Sequence, residues 1–346
     1  MQEISLSIKK NKSSSFILNF TPNNNMKNLV YIYYHMDFDG LVSSALAYHF
    51  FKERGFIPQI ERPIDFNIKS LWEKGRINVR KPFAIVDFSY RKDAFAYFDH
   101  HSPNKPSRAS PETKYLFFDK EAKSCASLIF RILGDNNRNE KRSELVRWCD
   151  IIDTVSYAHE GISIQDQLYP KEPAIILSKS LETARIEGKE RFWNSLSEKL
   201  IKNASIEEIL EDEEVLEKYK TYMKNQEGAL CQLKSNSEYE STKGIVTYDA
   251  TKNEWSRFGL AAIYPDSLVW IGLIRTQENL VDISICQNPW NPKSQEALEQ
   301  THIGDILKKY GGGGNKFRGG VHFNSHKKAK ESMCKIKKHI TKNIIR

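Results

Sequence analysis

The chain has 346 residues, of which 40% are hydrophobic, so it is long and apolar enough to form two ordinary globular domains rather than a disordered polymer. Lys and Arg outnumber Asp and Glu by 52 to 44, which suits an anionic ligand such as a phosphate ester or a nucleic acid without requiring one. Since no apolar run approaches the roughly 18 residues of a membrane span and no compact apolar segment marks a secretory signal, we expect a cytoplasmic protein. The five cysteines form no CxxC pair, which argues against a zinc knot, a redox motif or a disulfide framework.

The hydrophobic pattern divides the chain into four parts. Residues 1–25 are polar and are predicted to form an N-terminal extension. In 26–175, short β-rich runs such as "NLVYIYY", "FAIVDFS" and "AFAYFDHH" alternate with helical stretches, which is typical of an α/β domain with a mainly parallel sheet. Residues 176–236 show helical periodicity and many charges and are predicted to be a helical connector. Residues 237–346 combine strand-like pieces, the run "GGGGNKFRGGVHF" and a final lysine-rich amphipathic helix, which predicts a smaller α+β domain.

The segment "HMDFDG" directly follows the apolar run "LVYIYY". Alternate side chains of an extended segment share a face, so His35, Asp37 and Asp39 are expected to point into one cleft. That cleft would lie at the carboxyl end of the first strand, where open α/β sheets bind ligands.

Further acidic and histidine residues follow later apolar segments. Carboxylates crowded at one edge of a sheet repel one another unless cations neutralise them, so a divalent metal cluster is the natural inference. Carboxylate and imidazole ligands without cysteine favour Mn²⁺ or Mg²⁺ over structural zinc, although catalytic zinc stays open. The additional candidates are Asp87, Asp99, His100, His101, Asp150 and Asp153.

The order and spacing of these residues resemble the DHH phosphoesterase superfamily, whose name-giving triad stands here as Asp99-His100-His101. The resemblance extends over nearly the whole chain beyond residue 26, because the second region resembles the DHH-associated substrate domain with its glycine run. It implies an N-terminal mainly parallel-sheet domain, a helical connector and a smaller C-terminal α+β substrate-binding domain. Members include RecJ-like exonucleases, nano-RNases, cyclic-dinucleotide phosphodiesterases and some exopolyphosphatases or pyrophosphatases.

The resemblance also implies a two-metal site, with Mn²⁺ as the expected ion and Mg²⁺ as the alternative. The implied ligands are His35 and Asp37 for one ion, Asp39, His100 and Asp153 for the other, and Asp87 as the bridge. His101 is expected beside the scissile phosphate, with Asp99 as its catalytic partner. The segment "CDIIDT" offers two aspartates, so Asp150 stays the alternative to Asp153.

The glycine run is the main candidate for gripping the substrate. Residues without Cβ atoms let a ligand approach the backbone, whose N–H groups can bind an anion. By resemblance, Asn315 replaces a family histidine, Arg318 occupies a small-residue position, and Arg275 matches a frequent phosphate-binding arginine. Trp290 in "QNPWNPKS" offers a stacking platform for a base or belongs to a packed loop. The glycines of the run are Gly311, Gly312, Gly313 and Gly314.

The predicted function is a metal-dependent phosphodiesterase that trims short RNA or DNA oligonucleotides. A cyclic-dinucleotide phosphodiesterase and a polyphosphate or small phosphate-ester hydrolase remain the enzymatic alternatives. From another class, the alternative is a nucleotide-binding protein that has the same fold without turnover. No membrane partner is expected, and the sequence leaves the oligomeric state open, with a homodimer as one option.

Overall fold

The computed structural model of the protein contains two β-sheets joined by a helical segment. The predicted class, an α/β unit with a mainly parallel sheet followed by a smaller α+β unit, is therefore confirmed. The N-terminal extension and Asn315 lie outside the described residues. The structure describes residues 28–101, 104, 108–134, 139–187, 190–252, 256, 258–277, 280–297, 301–314 and 316–344.

The first sheet is entirely parallel, with the strand order β2-β1-β3-β4-β5. Its strands are β1 (Leu29–His35), β2 (Ile57–Ile64), β3 (Phe83–Val86), β4 (Ala96–Asp99) and β5 (Tyr115–Phe118). Because β2 and β3 lie on opposite sides of β1, the strand order reverses between β1 and β3. Sheets of this kind bind ligands at the carboxyl edge of such a switch point.

Nine helices of the described chain belong to the first unit and to the helical segment. Four accompany the first sheet, namely α1 (Phe38–Glu53), α2 (Lys69–Glu73), α3 (Cys125–Leu133) and α4 (Glu140–Thr154). The following five are α5 (Ile164–Leu168), α6 (Pro173–Glu187), α7 (Glu190–Ile201), α8 (Ile206–Leu210) and α9 (Glu213–Ser235). Among the described helices of the whole chain, none combines the length and apolar character that a bilayer crossing requires.

The second sheet has the order β10-β11-β9-β8-β7-β6, and only its β7–β8 pair is parallel. Its strands are β6 (Ser237–Glu240), β7 (Ile245–Ala250), β8 (Val269–Gln277), β9 (Leu280–Gln287), β10 (Gly313–Gly314) and β11 (Arg318–Phe323). The helices are α10 (Gly259–Ile263), α11 (Pro292–Ala297), α12 (Ile303–Lys308) and α13 (His326–Ile344). Ile336 and Ile340 of α13 are buried in the same core as Ile283 of β9, so this lysine-rich helix covers one face of the sheet.

The opposite face of the second sheet shares a core with the rest of the molecule. Val246 of β7 and Trp270 of β8 belong to the same buried cluster as Phe50 of α1 and Trp193 of α7. The predicted connector is therefore packed between the two sheets and is not a free linker.

Candidate metal centre

The cluster is centred on the ends of β1 and β3, the two strands at the switch point. His35 is the last residue of β1, and Asp87 follows β3 with φ of 58°. This left-handed conformation costs on the order of 1 kcal/mol, and Asp is one of the few residue types that adopts it readily. The Asp87 N–H donates to the Phe98 oxygen at 2.9 Å, which anchors the turned backbone. The Asp87 carboxylate consequently lies 3.4 Å from His35 Nδ1.

Several buried polar atoms of this cluster make no hydrogen bond within the described chain. They are both ring nitrogens of His35, both carboxylate oxygens of Asp87 and Nε2 of His100. Most of these atoms do lie within 4 Å of an oppositely charged member of the cluster. Buried polar groups nearly always have well-formed hydrogen bonds, so a group of atoms without them indicates a ligand that the protein itself does not supply. Candidate ligand atoms of His35, Asp37 and Asp87 lie within 4.8 Å of one another. This set of oxygen and imidazole donors fits a divalent cation such as Mn²⁺ or Mg²⁺.

Asp37 and Asp39 both lie at the start of α1 but have different partners. Asp37 is the N-cap, because its Oδ1 accepts from the Gly40 N–H at 2.8 Å, while its Oδ2 lies 2.9 Å from His35 Nδ1. Asp39 accepts the first backbone N–H groups of α3, from Cys125 at 2.7 Å and from Ala126 at 2.9 Å. Asp39 therefore ties α1 to α3, and its Oδ2 also lies 3.8 Å from His100 Nε2.

The geometry separates the two aspartates of "CDIIDT". Asp153 Oδ2 lies 3.4 Å from His100 Nε2, whereas Asp150 accepts a hydrogen bond from Ser124 Oγ at 2.6 Å. The other ring nitrogen of His100 lies 3.0 Å from the Ala122 oxygen, which orients Nε2 toward the cluster. The structure thus brings Asp153, and not Asp150, to the acidic cluster.

Asp99 is saturated by hydrogen bonds. Its Oδ1 accepts from the backbone N–H groups of His100 and His101 and lies 2.9 Å from His101 Nδ1. Its Oδ2 accepts from Tyr97 Oη at 2.7 Å and from Asn104 Nδ2 at 2.9 Å. With so many donors, Asp99 orients the triad, and His101 is left with Nε2 as its reactive nitrogen.

The charges of the cluster depend strongly on one another. Burial lowers the pKa of His35, but the carboxylates of Asp37 and Asp87 outweigh it and raise this pKa to about 10. Burial, followed by the charges of Asp87 and Asp153, raises the pKa of Asp39 well above its usual value. A carboxylate that resists ionisation because of neighbouring carboxylates is stabilised as an anion once a cation binds.

The second sheet contacts this cluster through Arg318. Arg318 Nη2 donates to the backbone oxygen of Asp153 at 2.5 Å and lies 3.1 Å from its Oδ1. A small cleft at this contact, between the two sheets, is lined by Thr154, Cys286 and Phe317 together with Arg318. The arginine at the family's small-residue position therefore reaches the proposed metal centre.

The glycine run forms the hairpin that carries Arg318. Gly313 and Gly314 pair with Gly320 and Gly319 as β10 and β11. A Cβ on Gly314, whose φ is 146°, would lie 2.2 Å from the Arg318 oxygen. Close backbone approach therefore already requires glycine here, independently of any anion.

Two other substrate-side candidates lie away from this contact. Trp270 and Arg318 both pair with Cys286, and Arg275 is exposed five residues farther along β8, or about 16 Å of strand. The structure thus does not bring Arg275 beside Arg318.

Trp290 stacks on Tyr157 with an angle of 4° between the rings, and its Nε1 donates to the Ile162 oxygen, so it belongs to a packed loop.

Solved structures share this arrangement of two sheets. The pGpG-specific phosphodiesterase PggH from Vibrio cholerae matches with a TM-score of 0.60 and 20% identity, over 91% of this chain and 99% of that protein. The DHH domain of a member of a ribosomal-protein family matches with a TM-score of 0.55 and 14% identity, over 89% of this chain and 86% of that one. Mn²⁺-bound RecJ from Thermus thermophilus matches with a TM-score of 0.51 and 12% identity, over 92% of this chain but 52% of RecJ.

The chain therefore has the DHH fold with a second, C-terminal domain, as the resemblance implied. Identities this low show the fold alone. No protein-family model matches the sequence, and a search of curated protein sequences found no match.

Proposed function

We propose that the protein is a metal-dependent phosphodiesterase that hydrolyses short oligonucleotides. The observation that carries the proposal is the set of buried atoms on His35, Asp87 and His100 that lack a well-formed hydrogen bond, a cluster that the second domain approaches through Arg318. A metal centre with a cationic side chain from a separate domain beside it suits a phosphodiester. The names of the similar structures, a pGpG phosphodiesterase and a Mn²⁺-bound RecJ, support the same chemistry.

The proposed roles follow from the hydrogen bonds of each residue. His35, Asp37, Asp87, His100, Asp39 and Asp153 would hold two divalent ions. Such ions, when bound, supply a hydroxide at neutral pH and neutralise the charge of the phosphate. His101, held at Nδ1 by Asp99 and partly exposed, can exchange a proton through Nε2 with the leaving oxygen.

Arg318 would bind a phosphate oxygen next to the cut bond. The guanidinium is a planar group of N–H donors whose geometry matches a phosphate, and it already lies beside a proposed metal ligand. Because the arginine lies directly at the cluster, the phosphate that it binds would be close to the bond that is cut. A short substrate would satisfy this geometry, whereas a long one would gain little from it.

The test is a substrate panel with purified protein and Mn²⁺. It contains linear di- to pentanucleotides, a cyclic dinucleotide, long single-stranded DNA and polyphosphate. We expect the highest kcat/KM for a di- or trinucleotide and no turnover in EDTA. Preference for the cyclic dinucleotide or polyphosphate would replace the proposed substrate, and tight binding without turnover of any of them would identify a nucleotide-binding protein.

A further inference from the structure

An exposed aromatic ring lies directly beside the proposed metal centre. Phe66 begins the 3₁₀ turn Phe66–Ile68 that follows β2, and 42% of the residue is exposed. Its ring centroid lies 4.6 Å from that of His35 and 5.4 Å from that of Phe88. Asp65 caps the turn by accepting from the Asn67 N–H at 2.9 Å. The ring of Phe66 thus packs against the buried residues His35 and Phe88, while part of the residue is exposed to solvent.

The ammonium group of Lys69 lies next to the ring of Phe66. Lys69 Nζ lies 5.4 Å from the ring centroid of Phe66 and donates to Asn104 Oδ1 at 3.2 Å. Asn104 in turn donates to Asp99, the residue that orients His101. Lys69 is therefore connected through one side chain to the DHH triad.

His322 of the second sheet is on the strand face that is directed toward the first domain. Alternate residues of a strand share a face, so His322 is on the same face of β11 as Arg318, which contacts Asp153. Asp282, its cross-strand partner on β9, is hydrogen-bonded to His322 Nδ1. That hydrogen bond raises the pKa of His322, while the charge of Lys69 acts in the opposite direction from the other domain. His322 is thus on the strand face that Arg318 directs toward the first domain, and Lys69 is a basic group of that domain whose charge acts on it.

We propose that Phe66, Lys69 and His322 form a nucleotide subsite beside the metal centre, with the base stacked on Phe66 and a phosphate bound between the two basic side chains. Aromatic rings stack any base, and a phosphate can accept hydrogen bonds from basic side chains on both sides of the gap. The ligand class is a nucleoside 5′-phosphate, either free or as the terminal unit of a short oligonucleotide. The subsite deepens the proposed function and rests on it for its biological meaning, although binding itself requires no turnover.

Fluorescence of 2-aminopurine ribonucleoside 5′-monophosphate tests the stacking, because the base loses fluorescence when it stacks. With Mg²⁺ present, the wild-type protein is expected to quench the probe in a saturable manner. Phe66→Leu keeps an apolar side chain but removes the ring, so it should weaken binding on the order of tenfold and abolish most of the quenching. Phe66→Tyr keeps an aromatic ring and should retain both binding and quenching. Leu71→Ala truncates another exposed apolar side chain nearby and should change neither binding nor quenching.

The phosphate half of the subsite is tested with the same probe lacking its phosphate. The wild-type protein should bind the nucleotide more tightly than the nucleoside, and this ratio should shrink in Lys69→Ala and in His322→Ala. Lys74→Ala and His302→Ala replace exposed residues of the same types and serve as controls. A wild-type protein that does not quench the probe, or Lys69 and His322 variants with unchanged ratios, would overturn the subsite.

Calorimetric titration with Mn²⁺ distinguishes two roles of Phe66, which are stacking with a base and packing against His35. Phe66→Leu should bind Mn²⁺ as the wild type does, and a lost metal site would show that the ring only supports His35. Hydrolysis of bis(p-nitrophenyl) phosphate by the wild type tests the metal chemistry independently. Quenching without this hydrolysis would reject the proposed function and leave the subsite standing, whereas hydrolysis without quenching would do the reverse.

Discussion

Arg318 donates from Nη2 to the backbone oxygen of Asp153 and lies 3.1 Å from its carboxylate, although 165 residues separate the two in sequence. A strand of the second sheet thereby contacts a proposed metal ligand of the first domain. In the proposed function, a substrate phosphate that enters this gap would meet the guanidinium and the proposed metal centre together.

We therefore expect Arg318→Ala to raise KM for a trinucleotide by about 10- to 100-fold, since a hydrogen bond to a charged group contributes about 1.5–3 kcal/mol. Steady-state kinetics with the trinucleotide and with bis(p-nitrophenyl) phosphate should show a much smaller effect on the chromogenic diester. Arg275→Ala is the matched control, because the register places that exposed arginine far along β8. Equal KM values for Arg318→Ala and the wild type would remove Arg318 from the substrate contact.

Asp87→Asn tests the bridge of the metal centre. Asn also tolerates the left-handed backbone at this position, so the variant should fold, and the loss of one of several crowded carboxylates should not lower its metal-free stability. Activity should fall by more than about 100-fold, since even residues that only support a ligand cost 10- to 100-fold. Thermal unfolding with and without Mn²⁺ is the measurement. The wild type should be stabilised by Mn²⁺, the variant should not, and Asp266→Asn, at an exposed position, should behave as the wild type.

His101→Ala separates proton transfer from metal binding. Because His101 Nδ1 is paired with Asp99 and Nε2 remains for the substrate, kcat should fall by about 100-fold or more. Mn²⁺ titration by calorimetry should still find two sites. If this variant lost a site, His101 would be a metal ligand and its proposed role would be wrong.

Asp99→Asn should affect both stability and turnover. An amide nitrogen would face donors that now point at a carboxylate, so the free energy of unfolding in EDTA should fall by about 1–3 kcal/mol. The released His101 should also lower kcat. Tyr97→Phe removes a single donor to the same carboxylate and should therefore have the smaller effect on urea unfolding.

Much of the first sheet could be predicted, because β1, β3 and β4 are apolar runs that end in polar residues at one edge. The sequence pattern does not predict the edge strand β2, since "IPQIERPI" carries prolines and charges that are tolerated at an edge position. The metal-site candidates could be predicted for the same reason as the first sheet, because several of them directly follow apolar strands. The strands β1, β3 and β4 are neighbours in the sheet and bring His35, Asp87 and His100 together, whereas the choice of Asp153 over Asp150 depends on the rotation of α4 and on Ser124.

Residues without a motif could not be found from sequence. Phe66 and Lys69 lie in a short turn with no periodicity, and Asn104 becomes important only because the chain folds back onto Asp99. The glycine run predicts an anion site, but its pairing with Gly319 and Gly320 depends on two strands and cannot be derived from one segment. Sequence spacing likewise gave no measure of the separation between Arg275 and Arg318.

The common core of α1, α7, β7 and β8 has a consequence for the gap between the two domains. Opening that gap widely would separate Tyr157 of the first unit from Phe258 and Trp290 of the second and expose these rings to water, which costs free energy in proportion to the apolar area exposed. The packing of the folded protein therefore determines the distance from the proposed metal centre to the second domain, and a bound substrate would not change it. If the proposed function holds, the length of the nucleotide that fits would therefore depend on the packing of this hydrophobic core.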